Sequence, residues 1–358
     1  MRKLCYPTTV SSLSPIDGAD RLELAHLSGH AWKCVVGKGE FHPGQRVVYF
    51  EIDSALPTTD ERFRFLEPRC LKQWKIGDKI VDRCYRIRTM TLRGALSQGL
   101  VMPFSAFPEI AEAKDGDDVT DALGVRHYDE LSATMLAVIH PGMGDLQVKG
   151  PFPSWIPKTD EERIQNLPDW PEQYATVLWQ VSVKCDGASA TMFWAPSTRP
   201  DAPFGVCSRN LELKLEGRNA YTEMAEKFQV AAQLERLGRE IAVQGEVVGP
   251  GMNGNRDRLV ERDFMVFRMW DIVEQRWLST AECRGLCAEL GLHHVPVIDP
   301  AITLREIGGV DEILKFAEGK TANGNEREGL VFKTCGNGMR MSFKAVSNRY
   351  LLKEAADA

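Results

Sequence analysis

VSVKCDGASATMFW, residues 181–194, decides how the second half of this chain is read. Val181, Val183 and Cys185 alternate with Ser182, Lys184 and Asp186, and that period of two predicts a strand. Gly187 breaks it. A strand that carries a lysine and an aspartate to its end has two readings. It is a hairpin edge with solvated charges, or its lysine does chemistry.

Three other stretches bear on the choice. QGEVVGPG sets Glu246 inside an apolar strand, REGLVFK sets Glu328 beside another with Gly329 after it, and SFKAVSNRYLLK sets Lys344 inside a third. A charge flanked by β-branched and aromatic residues is costly to bury alone. Four strands with this feature predict a polar cleft between sheets. Between them, NAYTEMAEKFQVAAQLERLG has helical apolar spacing and stops at Gly238. STAECRGLCAELG reads as a helix with Ser279 as N-cap and Gly291 beyond its end. The second half is expected to be a mixed α+β domain on antiparallel strands.

The first 130 or so residues read differently. RLELAHLSG, WKCVVGKG, QRVVYFEID and GLVMPF are short β-rich runs separated by Gly, Pro and Asp, which predicts a small β-barrel. The Pro- and Gly-rich stretch from about 135 to 170 reads as a connection. We therefore expect a barrel domain over 1–135, a linker over 136–165 and the α+β domain over 166–358.

The 358 residues have ordinary globular composition, 43% hydrophobic and 26% charged. A net charge of −6 argues against a uniformly basic nucleic-acid coat but leaves room for a local basic groove. Nine cysteines occur singly, with no CxxC pair and no zinc spacing, which reads as reduced thiols. No apolar leader or membrane-length run is present, so a soluble cytoplasmic protein with no membrane partner is expected.

The ordered motifs resemble those of the covalent nucleotidyltransferases: Lys184-x-Asp186-Gly187, Ser208-Arg209-Asn210, Glu246 in GEVVG, Phe267 in DFMVF, Glu328-Gly329 in EGLVF and Lys344 in SFKAVS. That superfamily contains DNA ligases, RNA ligases and capping guanylyltransferases. The chemistry accounts for the residue types. A neutral lysine amine attacks a nucleotide α-phosphate, so its pKa must be lowered first. Carboxylates hold a divalent cation that offsets phosphate charge, through waters where the ion is Mg²⁺. The resemblance implies Lys184 as nucleophile, Lys344 on the α-phosphate, and Asp186, Glu246 and Glu328 as the site for Mg²⁺ or Mn²⁺. It implies ATP contacts from Arg163, Asp186, Gly187, Arg209, Glu246 and Glu328, with Phe267 stacked on the base.

Only fourteen residues come after Lys344, so the accessory domain is expected before the catalytic one. That order resembles the fifth RNA ligase family, the Naegleria and Deinococcus type, with an N-terminal OB domain. The resemblance implies an ATP-dependent RNA ligase that acts through lysyl-AMP and an adenylylated 5′-end. Its partner would be nicked or broken RNA, with duplex substrates and DNA on the 5′-phosphate side left open. The last motif departs from the family pattern, with Ser342 in place of its first lysine and Arg340 and Lys333 nearby. A DNA ligase, a guanylyltransferase and a non-catalytic RNA-binding relic are the competing readings. GPGMNG (Gly249, Gly251, Gly254) matches G-x-G-x-x-G, but the charged run NRDRLVERDF after it lacks a helical stripe, so it reads as a turn beside Glu246. His293-His294 has no metal-spaced partner and reads as loop surface.

Overall fold

The run 181–194 holds the end of one strand, Leu178–Lys184, and the whole of a second, Ala188–Trp194. The two lie in different sheets. The first pairs with Gly329–Thr334, with Lys184 opposite Gly329 and Gln180 opposite Lys333. The second pairs with Ile241–Val248, with Ser189 opposite Glu246. Residues 185–187 are therefore a crossover, and the hairpin reading fails. Gly187 is required there: a Cβ would stand 2.3 Å from the Val247 carbonyl oxygen and 2.9 Å from Glu246 Cγ.

The computed structural model describes residues 3–128, 131, 147–336 and 340–357. Residues 136–146 of the expected linker lie outside them. The chain forms two compact units. One comprises Met1–Gly144 with Gln165–Pro168 and Leu351–Ala358; the other comprises Asp145–Ile164 with Asp169–Tyr350.

In the first unit, Cys5–Pro15, Leu22–Leu27, Lys33–Gly37, Arg46–Phe50 and Leu100–Pro103 form a five-stranded sheet. The long first strand pairs antiparallel on both sides, from Cys5 opposite Phe50 to Pro15 opposite Glu23. A four-stranded sheet is built around the Leu71–Ile76 and Lys79–Arg86 hairpin. Phe50, Phe63 and Phe107 close the core between them, with ring centroids 5.4–6.1 Å apart. This is the expected OB-type barrel of short strands. Each such buried aromatic contributes on the order of 2 kcal/mol through burial.

The second unit has two sheets. Helices cover one face of the larger sheet, where Val243, Val247, Phe264 and Val266 pack with Met224, Leu234 and Leu286. In the smaller sheet Phe332 stacks on Phe343 at 4.5 Å, and Trp179 meets Phe343 edge-on at 5.1 Å. Pairing is antiparallel apart from two short parallel ladders, Glu162–Arg163 beside Phe343 and Lys344, and His293–His294 beside Met265 and Val266. The α+β class holds. One helix does not: 219–238 is two helices, Ala220–Lys227 and Val230–Leu237, because Gln229 adopts φ 49° and interrupts the ladder. Ser279 caps Thr280–Glu289 through a reciprocal box with Glu282. No described helix is long and apolar enough to cross a membrane, and all nine cysteines are free thiols.

Candidate active site

Strand alternation puts Gln180, Ser182 and Lys184 on one face of their strand. On the paired strand, Val331 and Lys333 stand opposite Ser182 and Gln180. Gln180 and Ser182 are only 2% and 1% exposed, so this polar face is covered rather than solvated. Lys184 Nζ donates to Glu328 Oε1 at 2.6 Å. Burial presses the Lys184 ammonium toward neutrality, but the charges of Glu328 and Glu246 outweigh it and raise its pKa. Burial pushes Glu246 up to about 8 against the pull of Lys184, and the neighbouring charges of Glu328 and Asp186 add to the rise. Glu328 shifts the same way, again chiefly through burial. One ammonium thus sits among three carboxylates.

Asp186 is held from three sides. The Tyr350 hydroxyl donates to its Oδ2 at 2.7 Å. Asn253 Nδ2 donates to its Oδ1 at 3.2 Å and to the Gly187 carbonyl at 2.5 Å. Arg256 Nε lies 4.0 Å from Oδ2. Asn253 belongs to the GPGMNG turn, whose glycines at 249, 251 and 254 all have positive φ. That turn braces the crossover and opens no helix.

A second group lies along the Ser342–Val346 strand. Asp160 bridges Lys344 Nζ at 3.1 Å and an Arg209 amine at 3.3 Å, cations drawn from the two different sheets. Arg163 is buried at the sheet edge in register with Lys344. Ser342 stands directly opposite Lys333, and cross-strand partners share a face. The cation missing from position 342 is therefore matched by one on the neighbouring strand.

Lys333 belongs to the far end of the covered face. Its ammonium donates to the Phe267 carbonyl at 2.6 Å and lies 5.1 Å from the Phe267 ring centre. Burial lowers its pKa to about 8, and Arg268 pushes the same way against Glu161. Gln180, Phe267, Arg268, His294, Lys333 and Arg340 line a small cleft here that opens to solvent. His294 is thus part of a cleft wall, not loop surface. Its neighbour His293 is exposed and bonds Asp263 at 2.8 Å.

Lys184, Asp186, Glu246 and Glu328 thus form one electrostatic group, Lys344 and Arg209 meet through Asp160, and Phe267 marks the cleft. Sequence reading did not single out Asp160, Asn253 or Tyr350, which arrive from turns and a helix start with no periodic signal. Lys333 did carry a signal, since it continues the phase of Gly329 and Val331. Among the described residues no three His, Cys, Asp or Glu side chains converge closely enough to ligate a metal ion directly. The three carboxylates still fit a hydrated divalent cation held at the outer sphere, because Glu246 and Glu328 are raised chiefly by burial and further by neighbouring carboxylates, and a nearby positive charge offsets both.

The RNA ligase family model matches residues 177–346, and an OB-fold domain model matches residues 6–104. No match was found among curated proteins. Among solved structures, Naegleria gruberi RNA ligase with pyrophosphate is 36% identical, covers 100% of both chains and superposes with a TM-score of 0.85. A lysine-to-alanine variant of that ligase with ATP and Mn is 36% identical, covers 100% of this chain and 99% of its own, and has a TM-score of 0.84. A lysine-to-methionine variant with AMP and Mn has the same identity and TM-score and covers both chains fully. With an OB-fold domain ahead of the motif-bearing sheets, and likeness along its whole length, this chain belongs to the RNA ligase family.

Proposed function

We propose that the protein is an ATP-dependent RNA ligase that joins 3′-OH and 5′-phosphate ends through a covalent lysyl-AMP. The observation that carries this is Lys184, set 2.6 Å from Glu328 among three carboxylates, in a chain 36% identical over its length to an RNA ligase solved with ATP and Mn. Lys184 Nζ attacks the α-phosphorus of ATP. A P–N bond forms, the bond to the β-phosphate oxygen breaks, and pyrophosphate leaves. A 5′-phosphate oxygen then attacks that phosphorus and frees Lys184. Finally an RNA 3′-OH attacks the activated end and expels AMP.

The resting Lys184 is an ammonium, so it must give up a proton before attack; its partner Glu328 is placed to take it. A bound Mg²⁺ or Mn²⁺ would supply positive charge near Asp186, Glu246 and Glu328, favouring the neutral amine and the phosphate transition state. Lys344 and Arg209 would hold phosphate once released from Asp160, Arg163 and Gly187 would line the nucleotide path, and Phe267 would stack on the base with Lys333 at its edge. The OB-fold domain would hold the RNA strand. Free thiols fit a reducing cytoplasmic setting.

The test is label transfer from α-labelled ATP or GTP with Mg²⁺ or Mn²⁺, and then a chase with nicked RNA and RNA–DNA duplexes. We expect an acid-labile band with ATP, absent in Lys184→Ala, and chased into sealed RNA. A band with GTP alone would mean a guanylyltransferase, and sealing of all-DNA nicks a DNA ligase. No band under any condition, with no pre-bound AMP, would leave an RNA-binding relic.

A further inference from the structure

Tyr350 is reached by a built path from the site itself. The Ser347 amide donates to the Glu328 carbonyl at 2.8 Å, and the Tyr350 amide donates to the Ser347 hydroxyl at 3.3 Å. This turn fixes the start of the Asn348–Asp357 helix against the strand that bears Glu328. The Tyr350 side chain is then buried, 8% exposed, with its hydroxyl 2.7 Å from Asp186 Oδ2. A carboxylate only accepts, so the phenol is the donor. Burial, with the charges of Glu328 and Asp186, raises the phenol pKa and keeps that proton in place.

Arg256 lies over the face of the same ring, its guanidinium carbon 5.1 Å from the ring centre. Its Nε stops 4.0 Å from Asp186 Oδ2, too far for a hydrogen bond. Asn253 fills one place on Oδ1.

We propose that Tyr350 is a positioning residue for Asp186: it orients the carboxylate by one neutral hydrogen bond and holds Arg256 at 4.0 Å, short of a hydrogen-bonded ion pair. This rests on the ligase reading, in which Asp186 faces a hydrated divalent cation. An arginine paired to Asp186 would compete with that cation. A neutral phenol leaves the carboxylate its full charge and its remaining lone pairs.

The test is Mn²⁺ binding, read as loss of the free-ion electron paramagnetic resonance signal, in full-length protein with a non-hydrolysable ATP analogue. Tyr350→Phe is expected to raise the Mn²⁺ half-saturation by about three- to tenfold, the range for one ordinary hydrogen bond. Adding Arg256→Gln to Tyr350→Phe is expected to bring it back toward wild type. Arg256→Gln alone should move it less than about twofold, since Tyr350 already holds the arginine off. Lysyl-AMP formation should track the same order and recover at high Mn²⁺. An unchanged half-saturation in a Tyr350→Phe protein with wild-type melting overturns the proposal. So does a large shift in Arg256→Gln alone, which decides the matter even where Tyr350→Phe fails to fold. Wild type that binds no Mn²⁺ with the analogue overturns the ligase reading as well.

Discussion

Lys184, half-buried, and Lys333, buried, lie on paired neighbouring strands, yet their environments push them in opposite directions. Lys184 stands opposite Gly329, and Lys333 stands opposite Gln180. Four residues of strand, roughly 13 Å, separate the two levels. Three carboxylates surround Lys184 and raise its pKa against burial. Around Lys333 burial is joined by Arg268, with Glu161 the opposing charge, and the pKa falls to about 8. One strand pair thus builds a cation-poor end and a cation-rich end. Lysine is not reactive because it is buried. The charges around it decide, and those at Lys184 can be offset by a divalent cation while those at Lys333 cannot.

The harshest test of that contrast is Lys184→Ala against Lys333→Ala in the label-transfer assay. We expect no band above background for the first, because Lys184 is the amine hydrogen-bonded to Glu328. The second should still label at high ATP. A Lys184→Ala protein that labels at Lys333 would erase the distinction between the two ends.

Stability should separate them next. The folded pKa of Lys333 lies near 8, below its ordinary 10.5. The native state binds this proton more weakly than the unfolded chain, so stability falls as pH drops from about 10.5 through 8. Lys333→Met removes that penalty. It should be more stable than wild type below pH 8, by on the order of 2 kcal/mol after loss of the bond to Phe267, and the gain should vanish above pH 10.5. Chemical denaturation across pH 7–11 measures it. The same variant should need about tenfold more ATP for half-maximal labelling if Lys333 reads the base edge.

Glu246 titrates with the opposite charge sense. Its folded pKa is raised to about 8 from 4.5, so the native state holds that proton more tightly than the unfolded chain does. The stabilisation is complete below pH 4.5 and is lost as pH rises through 8. Glu246→Gln should therefore match wild type near pH 4.5 and exceed it above pH 8, by up to about 5 kcal/mol without metal. Saturating Mg²⁺ with nucleotide should close that gap in wild type only. A flat difference across pH would mean that burial and the neighbouring carboxylates do not raise Glu246.

How much of this was legible in the residues depends on what each feature rests on. Alternation alone places Val181 in the core and Lys184 on the polar face, because a strand allows no other arrangement. Gly187 and Gly329 mark where strands pass too close for a Cβ, which fits their place in ordered motifs. The break at Gln229 was not legible, since a left-handed glutamine is set by packing on both sides and not by its own preference. Tyr350, Asn253 and Asp160 were hidden for a shared reason. Each reaches the site from outside the strands, 164, 67 and 184 residues from its partner, and no local pattern encodes a contact at that separation.

Asp160 supplies the finest test. Asp160 and Glu161 are consecutive acids, and each serves a different group of cations. Asp160 takes Lys344 and Arg209, while Glu161 lies 3.8 Å from Arg268 and pulls on Lys333. A nucleotide phosphate that binds Lys344 and Arg209 must displace Asp160 or share them with it. Asp160 is about half exposed, 47%, so its two ion pairs are weak and easily given up. Asp160→Asn should tighten ATP or pyrophosphate binding by about two- to fourfold, with less loss of affinity in high salt than wild type shows. Glu161→Gln should leave pyrophosphate binding unchanged, because its partners Arg268 and Lys333 line the Phe267 cleft and not the Lys344–Arg209 group. Isothermal titration with both ligands reads the difference. Weaker binding in Asp160→Asn would mean that the aspartate aligns the two cations for phosphate instead of standing in for it. A matching effect in Glu161→Gln would mean that the two ends share one field and are not separately tuned.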